Sequence, residues 1–306
     1  MKIIAVVLTY NEEIHLERCL ASLSGVADEI LVVDCFSSDR TIEIAGLHGA
    51  KVIQRAWKSH SDQFNWALDQ LPASSADDVW IMRIDADEFL TPELAKEIRL
   101  KLPDVSSSVT GIFVPRRMTF QGKLLRFGGI FPVQVLRIFR QGRGRCENRW
   151  MDEHVIVEGG MSGFSGELID DNKNTLTWWT EKHNKYSTRE VVDILNMEYG
   201  FMASETVAKL AGGGRAGFKR WVKEKIYWKF PLGIRAFVYF CYRYILMLGF
   251  LDGRAGAAFH VLQGFWYRYL VDAKTAEVKR YMKEHRVDVV VAIERVLGLR
   301  VGPGGA

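Results

Sequence analysis

The sequence has few cysteines, and no two of them are close together. Cys19, Cys35, Cys146 and Cys241 are scattered through 306 residues. This spacing excludes a disulfide framework and a zinc knuckle and fits a reducing compartment. We also expect no secretory leader, because the apolar run at residues 3–8 is short and leads directly into polar residues. We predict a first β-strand there instead.

A strong charge of one sign is absent as well. The formal net charge is +4, which is modest for a nucleic-acid binder. Neither a zinc-finger spacing nor an aromatic nucleic-acid motif is present. With 48% hydrophobic and 25% charged residues, the composition is that of a folded globular protein. At this length we expect one large domain with a substantial appendage and no nucleic-acid partner.

Short β-branched runs alternate with helical patterns through the first ninety or so residues. We predict strands at residues 3–8, 29–33, 51–53 and 79–84, and helices at residues 12–23, 41–47 and 62–71. Such alternation implies a mainly parallel sheet, whose ligands bind beyond the carboxyl ends of the strands. Asn11, Asp34 and Asp85 fall at these ends.

Beyond the fourth strand the pattern becomes α+β. Thr91 and Pro92 are typical of a helix start, with Thr91 as the cap and Pro92 at the first helical position. Residues 111–114 and 133–139 read as further strands. The fold class predicted for the whole chain is α/β, with a C-terminal helical, membrane-associated region.

Two carboxylates one residue apart follow the buried fourth strand. Asp85 and Asp87 flank Ala86, and hard oxygen ligands of this kind suit Mg²⁺ or Mn²⁺ bridging a pyrophosphate. Taken alone, the motif is more typical of a solvated acidic turn. Its position at the end of a buried strand favours the metal.

Three ordered motifs carry a resemblance to a known family. They are Thr9-Tyr10-Asn11-Glu12, Asp34 with Ser37-Ser38-Asp39, and Asp85-Ala86-Asp87-Glu88. On the matching α/β pattern they resemble the family 2 glycosyltransferases of the GT-A fold, a Rossmann-like nucleotide-diphospho-sugar transferase fold. The resemblance covers the first half of the chain best.

This resemblance implies a nucleotide-sugar site at the strand ends. The residues implied to contact the nucleotide-sugar are Thr9, Tyr10, Glu12, Asp34, Asp85 and Ala86. Asp34 would accept a hydrogen bond from uracil, whose imide N–H suits a carboxylate. Asp87, with Asp85, would hold the Mg²⁺ or Mn²⁺ ion.

The sequence departs from the family pattern in two places. Cys35-Phe36 stands where family members commonly have Asp-Gly or Ser-Gly, which would reshape the base pocket. Phe64-Asn65 replaces a frequent Arg-Asn pair. The roles of that arginine are not carried over, although Gln63 and Asn65 remain candidates for nucleotide-sugar binding.

A second acidic cluster, Asp152-Glu153, follows an arginine-bearing strand. This arrangement resembles a sub-group that builds lipopolysaccharide core and related bacterial polysaccharides. Inverting transfer needs a base for the acceptor hydroxyl; we predict Glu153, with Asp152 second, and an ordinary surface acid pair is the alternative. Arg137 and Arg140 would grip acceptor phosphate, or are simply paired surface arginines.

A further metal ligand is left open. Some family members have a histidine after the acid pair, and the matching place in this sequence holds Asp170-Asp171. A carboxylate there would still suit a hard metal. His183 is the alternative, against a purely structural role.

The C-terminal part is helical, basic and aromatic. Residues 234–250 are apolar but interrupted by Arg235 and Arg243, which predicts helices lying in a membrane interface rather than crossing it. A helical subdomain packed on the catalytic core is the alternative. We therefore divide the chain into a catalytic domain at 1–200 and a membrane-associating region at 201–306.

Together these features predict a metal-dependent inverting glycosyltransferase. It would move a hexose from a UDP-sugar to a lipid-linked saccharide acceptor, during synthesis of bacterial cell-surface polysaccharide or lipopolysaccharide. We expect it at the cytoplasmic face of the inner membrane, bound peripherally. The rival hypotheses are a catalytically inactive nucleotide-sugar-binding scaffold at the membrane and a basic membrane or nucleic-acid binding module.

Overall fold

A computed structural model describes residues 1–72, 79–147, 154–202 and 231–301. Within them the chain forms two compact units, a sheet unit that ends at residue 173 and a helical unit that begins at residue 174. The division predicted at residue 200 separates a catalytic domain from a membrane-associating region. Packing does not test those two roles, so this division stays a prediction. By packing, the helix that precedes residue 200 belongs to the helical unit.

The first half of the sheet unit alternates strands and helices. These elements are β1 (Lys2–Thr9), α1 (Leu16–Leu23), β2 (Glu29–Asp34), α2 (Thr41–Leu47), β3 (Lys51–Gln54), α3 (His60–Asp69) and β4 (Val79–Asp85). The predicted order is confirmed. Only α1 begins well after its predicted start, because Glu12 and the next three residues form a turn in which the Glu12 carbonyl accepts from the His15 and Leu16 N–H groups.

The second half is mostly strands. Its elements are β5 (Glu88–Leu90), α4 (Pro92–Lys101), β6 (Val109–Phe120), β7 (Lys123–Leu124), β8 (Val133–Arg140), β9 (Gly144–Cys146), β10 (Val155–Val157), β11 (Gly160–Gly163) and β12 (Leu168–Asp170). Thr91 caps α4 as predicted, since its side chain accepts from the Leu94 N–H at 3.2 Å.

Ten strands of the described residues form one mixed sheet in the order β3-β2-β1-β4-β8-β6-β12-β5, with β7 and β11 paired to β6. β1 to β4 run parallel, whereas β8 runs antiparallel to both β4 and β6. Thr9 pairs with Asp34 and Leu8 with Asp85. The carboxyl ends of β1, β2 and β4 therefore meet at one edge, as the sequence predicted.

Both faces of the sheet are covered. Ile3, Ala5 and Val7 of β1 point into one core, which they share with α1, α2 and α4. Ile4 and Val6 point into the other core, formed with α3 and the small β9–β10 ladder. Because each fully buried aliphatic side chain contributes about 1.5–3 kcal/mol, this two-sided burial fixes the register of β1 and with it the position of Thr9.

The helical unit contains α5 (Leu176–Tyr199), α6 (Ile234–Cys241), α7 (Gly253–Phe259), α8 (Tyr267–His285) and α9 (Val289–Leu297). Side chains of α5, α8 and α9 share a core that includes Val192, Val278 and Ile293. A π-helical turn, Tyr242–Leu246, continues α6, and a second one, His260–Trp266, joins α7 to α8.

No single helix among the described residues has both the length and the apolar character needed to cross a bilayer. Ile234–Leu246 and Gly249–His285 meet that requirement only as a pair, and this pair is bent by 70°.

Candidate active site

Asp34, at the end of β2, organises the base of the site. It is fully buried and accepts from Thr9 Oγ1 at 3.0 Å, from the Ser37 N–H at 2.8 Å, from Ser37 Oγ, and from Gln54 Nε2 at 3.0 Å. Both carboxylate oxygens are thus engaged by the chain itself. Asp34 holds Thr9 and the loop after β2 in place, whichever group of a ligand it also meets.

The loops after β1 and β2 are joined by hydrogen bonds. Three successive N–H groups of the first loop donate to side chains of the second: Asn11 to Ser37 Oγ, Glu12 to Thr41 Oγ1 and Glu13 to Asp39 Oδ2, at 2.7–3.1 Å. In return, Ser38 N–H donates to Asn11 Oδ1 at 2.9 Å. The two loops form one rigid rim at the edge predicted to bind a ligand.

Two aromatic side chains stand out from this rim. Tyr10 is 61% exposed and Phe36 is 59% exposed. The backbone of Phe36 is left-handed, with φ 60°, and Asn11 also has a positive φ. A bulky residue has a steric cost in that conformation. Cys35-Phe36, which replaces the Asp-Gly or Ser-Gly common in the family, therefore places an exposed ring on a strained backbone where glycine would be unstrained.

Asp85, at the end of β4, has a 35% exposed side chain and lies beside two buried charged residues, Arg137 and Glu88. Arg137 Nη2 donates to Asp85 Oδ2 at 2.9 Å and to Glu88 Oε1 at 2.5 Å, and Glu88 Oε2 accepts from the Asp85 N–H. Burial alone would raise the pKa of Asp85, but Arg137 and Arg83 outweigh it and lower this pKa. Burial raises the pKa of Glu88. Asp85 therefore stays ionised beside a cation that holds it.

Asp87 faces a second group of acids at the end of β12. Its Oδ2 accepts from Asn172 Nδ2 at 3.0 Å, and its carbonyl accepts from the Asp171 N–H. Asp170 pairs with Glu88 across β5 and β12. Burial and the charge of Asp87 raise the pKa of Asp170 to about 8. Arg116 lies within 3.8 Å of both Asp170 and Glu88 and offsets part of this negative charge; a bound cation would offset more.

The donor chemistry at these acids fits a hard divalent cation. Among the described residues no three His, Cys, Asp or Glu side chains are arranged as a complete metal cage. Mg²⁺ in phosphate-transfer sites is typically held by one or two carboxylates together with substrate phosphates, so a complete protein cage is not required. Asp87 and Asp85 would provide those carboxylates, with Asp170 near Asp87.

His15 was missed by the sequence analysis. It is fully buried, its Nδ1 lies 2.6 Å from Glu12 Oε2, and its Nε2 accepts from the Lys173 N–H at 2.8 Å. Arg18, one turn further along α1, is paired with Asp171. His15 and Arg18 thus tie the rim to the segment that carries Asp170 and Asn172. A buried histidine on the first helix gives no signal for this role without the fold.

Gln63 and Asn65, predicted to contact the nucleotide-sugar, serve the interior of the sheet unit. Gln63 is fully buried and donates to Cys35 Sγ at 3.2 Å and to the Arg55 carbonyl. Asn65 uses both ends of its amide on Cys146, at 2.8 and 2.9 Å. The structure therefore gives Asn65 a different task from the predicted one, which is to fasten β9 to α3.

Arg140 also differs from its prediction as an acceptor-phosphate residue. It pairs with Trp80 near the start of β4, at the opposite end from Asp85. Its guanidinium is buried, donates to the carbonyls of Val109, Val105 and Ser106, and lies 4.3 Å from the centre of the Trp80 ring. Of the two predicted arginines, Arg137, three residues earlier on β8, is the one that reaches the acids.

The predicted bases Asp152 and Glu153 lie outside the described residues. The described residues on either side of them are joined: the Glu147 N–H donates to the His154 carbonyl at 2.9 Å, and β9 pairs with β10. Arg83 donates to Cys146 Sγ at 3.4 Å and lies 3.9 Å from Asp85 Oδ1. The β9–β10 ladder lies on either side of the predicted bases in the sequence. Through Cys146 it contacts Arg83, which in turn lies beside Asp85.

His183, the alternative metal ligand, belongs to the helical unit. Its ring stacks on Trp179 at 3.5 Å between centroids, and its Nδ1 donates to the Trp179 carbonyl. Burial lowers its pKa to about 4. These contacts give it a structural role within α5.

The mixed sheet, the joined rim and the acid pair after β4 define a nucleotide-sugar-transferase class of fold. The model of the family described as glycosyl transferase family 2 matches residues 4–172. This match covers more than half of the chain, so the protein belongs to glycosyl transferase family 2, and its sheet unit has the GT-A fold.

Individual relatives agree with this family. An uncharacterized glycosyltransferase of Rickettsia bellii is 40% identical over 97 residues, 32% of this chain and 31% of the relative. The chain therefore spans about a third of that relative. The lipopolysaccharide core biosynthesis glycosyltransferase LpsC of Rhizobium meliloti is 28% identical over 191 residues, 60% of this chain and 68% of LpsC. The predicted likeness to the lipopolysaccharide-core sub-group is confirmed.

Solved structures show weaker likenesses. Mannosyl-3-phosphoglycerate synthase from Rubrobacter xylanophilus matches with a TM-score of 0.44 and 17% identity, over 69% of this chain and 78% of that one. Glucosyl-3-phosphoglycerate synthase from Mycobacterium tuberculosis, in complex with Mn²⁺, UDP and glucosyl-3-phosphoglycerate, matches with a TM-score of 0.31 and 22% identity, over 38% and 44%. Neither is close enough to support a conclusion about this chain.

Proposed function

We propose that the protein transfers a hexose from a UDP-sugar, with inversion, to a saccharide acceptor carried on a lipid, during assembly of bacterial lipopolysaccharide or a related surface polysaccharide. The observation that carries the proposal is the pair Asp85 and Asp87, placed after buried β4 beside the joined rim of a family 2 glycosyltransferase. The likeness to LpsC favours lipopolysaccharide core as the setting.

The donor nucleotide would lie along the rim. Tyr10 offers an exposed ring to the base, and Thr9 and Glu12 are held beside it by Asp34 and His15. Asp85 would contact the ribose or the metal, and Asp87 would hold Mg²⁺ or Mn²⁺. The bound ion would neutralise the charge that develops on the departing diphosphate, so no acid has to protonate that leaving group.

The protein's own residues would then supply orientation and a base. Glu153, or Asp152 as the second choice, takes the proton from the acceptor hydroxyl. The hydroxyl oxygen forms its bond to the anomeric carbon while the bond from that carbon to the diphosphate breaks. Arg137, held between Asp85 and Glu88, fixes the carboxylate of Asp85 from the side away from solvent.

A lipid-linked acceptor would bring the protein to the cytoplasmic face of the inner membrane as a peripheral enzyme. The features that support this are the basic, aromatic composition of the C-terminal third of the sequence and the exposed apolar side chains of the helical unit. A surface that combines cationic and apolar side chains binds anionic bilayers through both.

UDP release from a panel of UDP-sugars, measured with Mg²⁺ or Mn²⁺ and again with EDTA, tests the proposal. We expect metal-dependent release from one donor, increased by a lipid-linked saccharide. Tight UDP binding without turnover of any donor and acceptor pair would instead favour the inactive scaffold. Full activity after removal of the metal would contradict the proposed role of Asp87.

A further inference from the structure

One stretch of the helical unit exposes apolar side chains where a water-soluble surface would be polar. Between Phe237 and Leu251, the end of α6, the π-helical turn and the break after it present Phe237, Ile245, Leu246, Leu248, Phe250 and Leu251, each 44–73% exposed. We call these six side chains the apolar face. Contiguous exposed apolar surface marks a place where another molecule binds.

Four charged or polar side chains in and around this stretch are buried. Arg235, Asp252, His260 and Asp272 are all at most 3% exposed. Arg235 Nε donates to Asp272 Oδ1 at 2.8 Å, and the Gly233 N–H donates to Asp272 Oδ2 at 2.8 Å. Burying a paired charge while exposing leucine and phenylalanine reverses the arrangement of water-soluble helices. It is the arrangement expected of helices that face lipid.

The break between the two helices is also suited to a medium without water. The N–H groups of Met247, Leu248 and Leu251 donate to the carbonyls of Tyr242, Ile245 and Leu248, at 2.9–3.1 Å. Backbone donors that enter a bilayer must be satisfied within the protein. These three donors need no water, although they lie where the helix pair bends by 70°.

The charge of the stretch identifies the partner. Residues 231–270 contain four arginines and one carboxylate, Asp252. Asp252 is buried, whereas Arg254 is exposed. Arg235 is buried against Asp272 and Arg268 is paired with Glu190, so Arg254 is the fully exposed arginine of residues 231–270, and no carboxylate of these residues is exposed. The edge of the apolar face therefore suits anionic rather than cationic lipid headgroups.

We propose that the apolar face inserts into the acyl-chain boundary of an anionic phospholipid bilayer, with the bend between Ile234–Leu246 and Gly249–His285 as the inserting element. This inference rests on the proposed function, in which the enzyme is attached peripherally to the membrane. It names the element that makes the attachment and the depth that this element reaches. The occupant of the face is lipid and not a second copy of the chain.

Flotation of the purified full-length protein with vesicles tests this proposal. The vesicles are phosphatidylcholine alone or phosphatidylcholine with phosphatidylglycerol, and each sample is also washed with concentrated salt. We compare the wild type with the double variant Leu246→Asp, Phe250→Asp. Leu47→Asp with Leu100→Asp, at two comparably exposed leucines of α2 and α4, is the matched control.

We expect the wild type and the control to float with the anionic vesicles and to resist the salt wash. The Leu246, Phe250 variant should lose at least about tenfold in vesicle partitioning, because two apolar side chains leave the acyl boundary. The vesicle partitioning of the milder Leu246→Ser, Phe250→Ser variant should lie between those of the wild type and the aspartate variant. A graded loss of this kind would not be expected from a folding defect. Melting temperature and UDP affinity should stay unchanged in all variants.

Three results would overturn the proposal. Equal flotation of all variants, or release of the wild type by salt, would leave only electrostatic adsorption. A change of oligomeric state on light scattering without a change in flotation would make the face an interface between copies.

A wild type that floats and resists salt but neither binds UDP nor cleaves a donor would leave insertion standing and remove the proposed function, so the two failures are distinguishable.

Discussion

Both units of the molecule bury a charged arginine against an acid, but the pairs differ in what lies next to them. In the sheet unit, Arg137 joins the buried Glu88 to Asp85, whose side chain is 35% exposed. In the helical unit, Arg235 and Asp272 are enclosed together, at 3% and 4%. Burial of charge is therefore not in itself a sign of a site. An accessible acid beside the buried pair is what distinguishes the sheet unit.

The largest effect is expected at the acid pair Asp85 and Asp87. Asp87→Ala should reduce kcat for UDP release by at least about 10²–10³-fold, because the charge that holds the metal diphosphate is removed. The melting temperature should hardly change, since the Asp87 side chain makes one hydrogen bond, to Asn172. Steady-state rates and a thermal melt measure both.

Asn172→Ala is the control for that hydrogen bond. It removes the same contact and leaves the carboxylate in place, so it should keep most of the activity. Loss of activity in Asn172→Ala as deep as that in Asp87→Ala would show that the contact, rather than the carboxylate, is what the reaction needs.

The next effect compares the two buried arginines directly. Arg137→Met and Arg235→Met each leave an acid buried without its partner, which should destabilise the fold by about 3–5 kcal/mol. Of the molecules that stay folded, only the Arg137 variant should show a changed kcat, because Arg137 contacts an acid of the site and Arg235 does not. Denaturant unfolding and UDP release on the same samples give the two quantities.

A double variant tests whether the unpaired acid causes the loss of stability in Arg235→Met. In Arg235→Met with Asp272→Leu both charges are gone, so most of the lost stability should return. If the double variant is no more stable than Arg235→Met, the acid left behind is not the cause. If Arg235→Met alters kcat as strongly as Arg137→Met, the contrast between the two pairs is wrong.

The order of elements in the sheet unit followed from the sequence because each strand carries its own evidence. β1 has apolar residues at successive positions, since both of its faces are buried, and Asp34 and Asp85 end β2 and β4 as polar breaks. The late start of α1 could not be predicted. The turn before it is set by hydrogen bonds of Glu12, and Glu12 is as suitable a residue for a helix as for a turn.

The site was predictable where position along a strand decides it and not where side-chain direction does. Arg137 and Arg140 lie three residues apart on β8, but the register of β8 against β6 shifts at Arg137, so regular alternation does not give its direction. The strand also carries Arg140 toward the far edge of the sheet. Asn65 and His15 take their tasks from distant partners, Cys146 and Lys173. A pattern of neighbouring residues contains no information about those contacts.

A moderate effect is expected from pH, at the acid behind Asp87. The pKa of Asp170 is raised to about 8, from an ordinary value of 3.8, by burial and by Asp87. The folded protein thus keeps this proton up to about pH 8, while the unfolded chain has lost it above about pH 4. Asp170 therefore costs stability increasingly as pH rises between these two values.

Asp170→Asn cannot ionise and should remove that cost. Without metal, the variant should gain melting temperature relative to the wild type at about pH 8 and gain little at about pH 5. The gain should therefore grow with pH. A constant difference across this range would mean that Asp170 ionises normally and that the acids after β4 and β12 do not share a crowded negative field.

The smallest expected effect is at the strained ring of the rim. Phe36 has a φ of 60° and is 59% exposed, so its side chain brings little burial to offset a left-handed backbone. Phe36→Gly should relieve about 1 kcal/mol of strain, whereas Phe36→Ala keeps the strain and should not stabilise. If the ring contributes to nucleotide binding, both variants should weaken UDP binding to a similar extent, and calorimetry of UDP binding beside thermal melts would show it. A glycine variant that is more stable and binds UDP as well as the wild type would mean that the strain at Phe36 serves no purpose at the donor site, and the comparison between the two units would then rest on the acids alone.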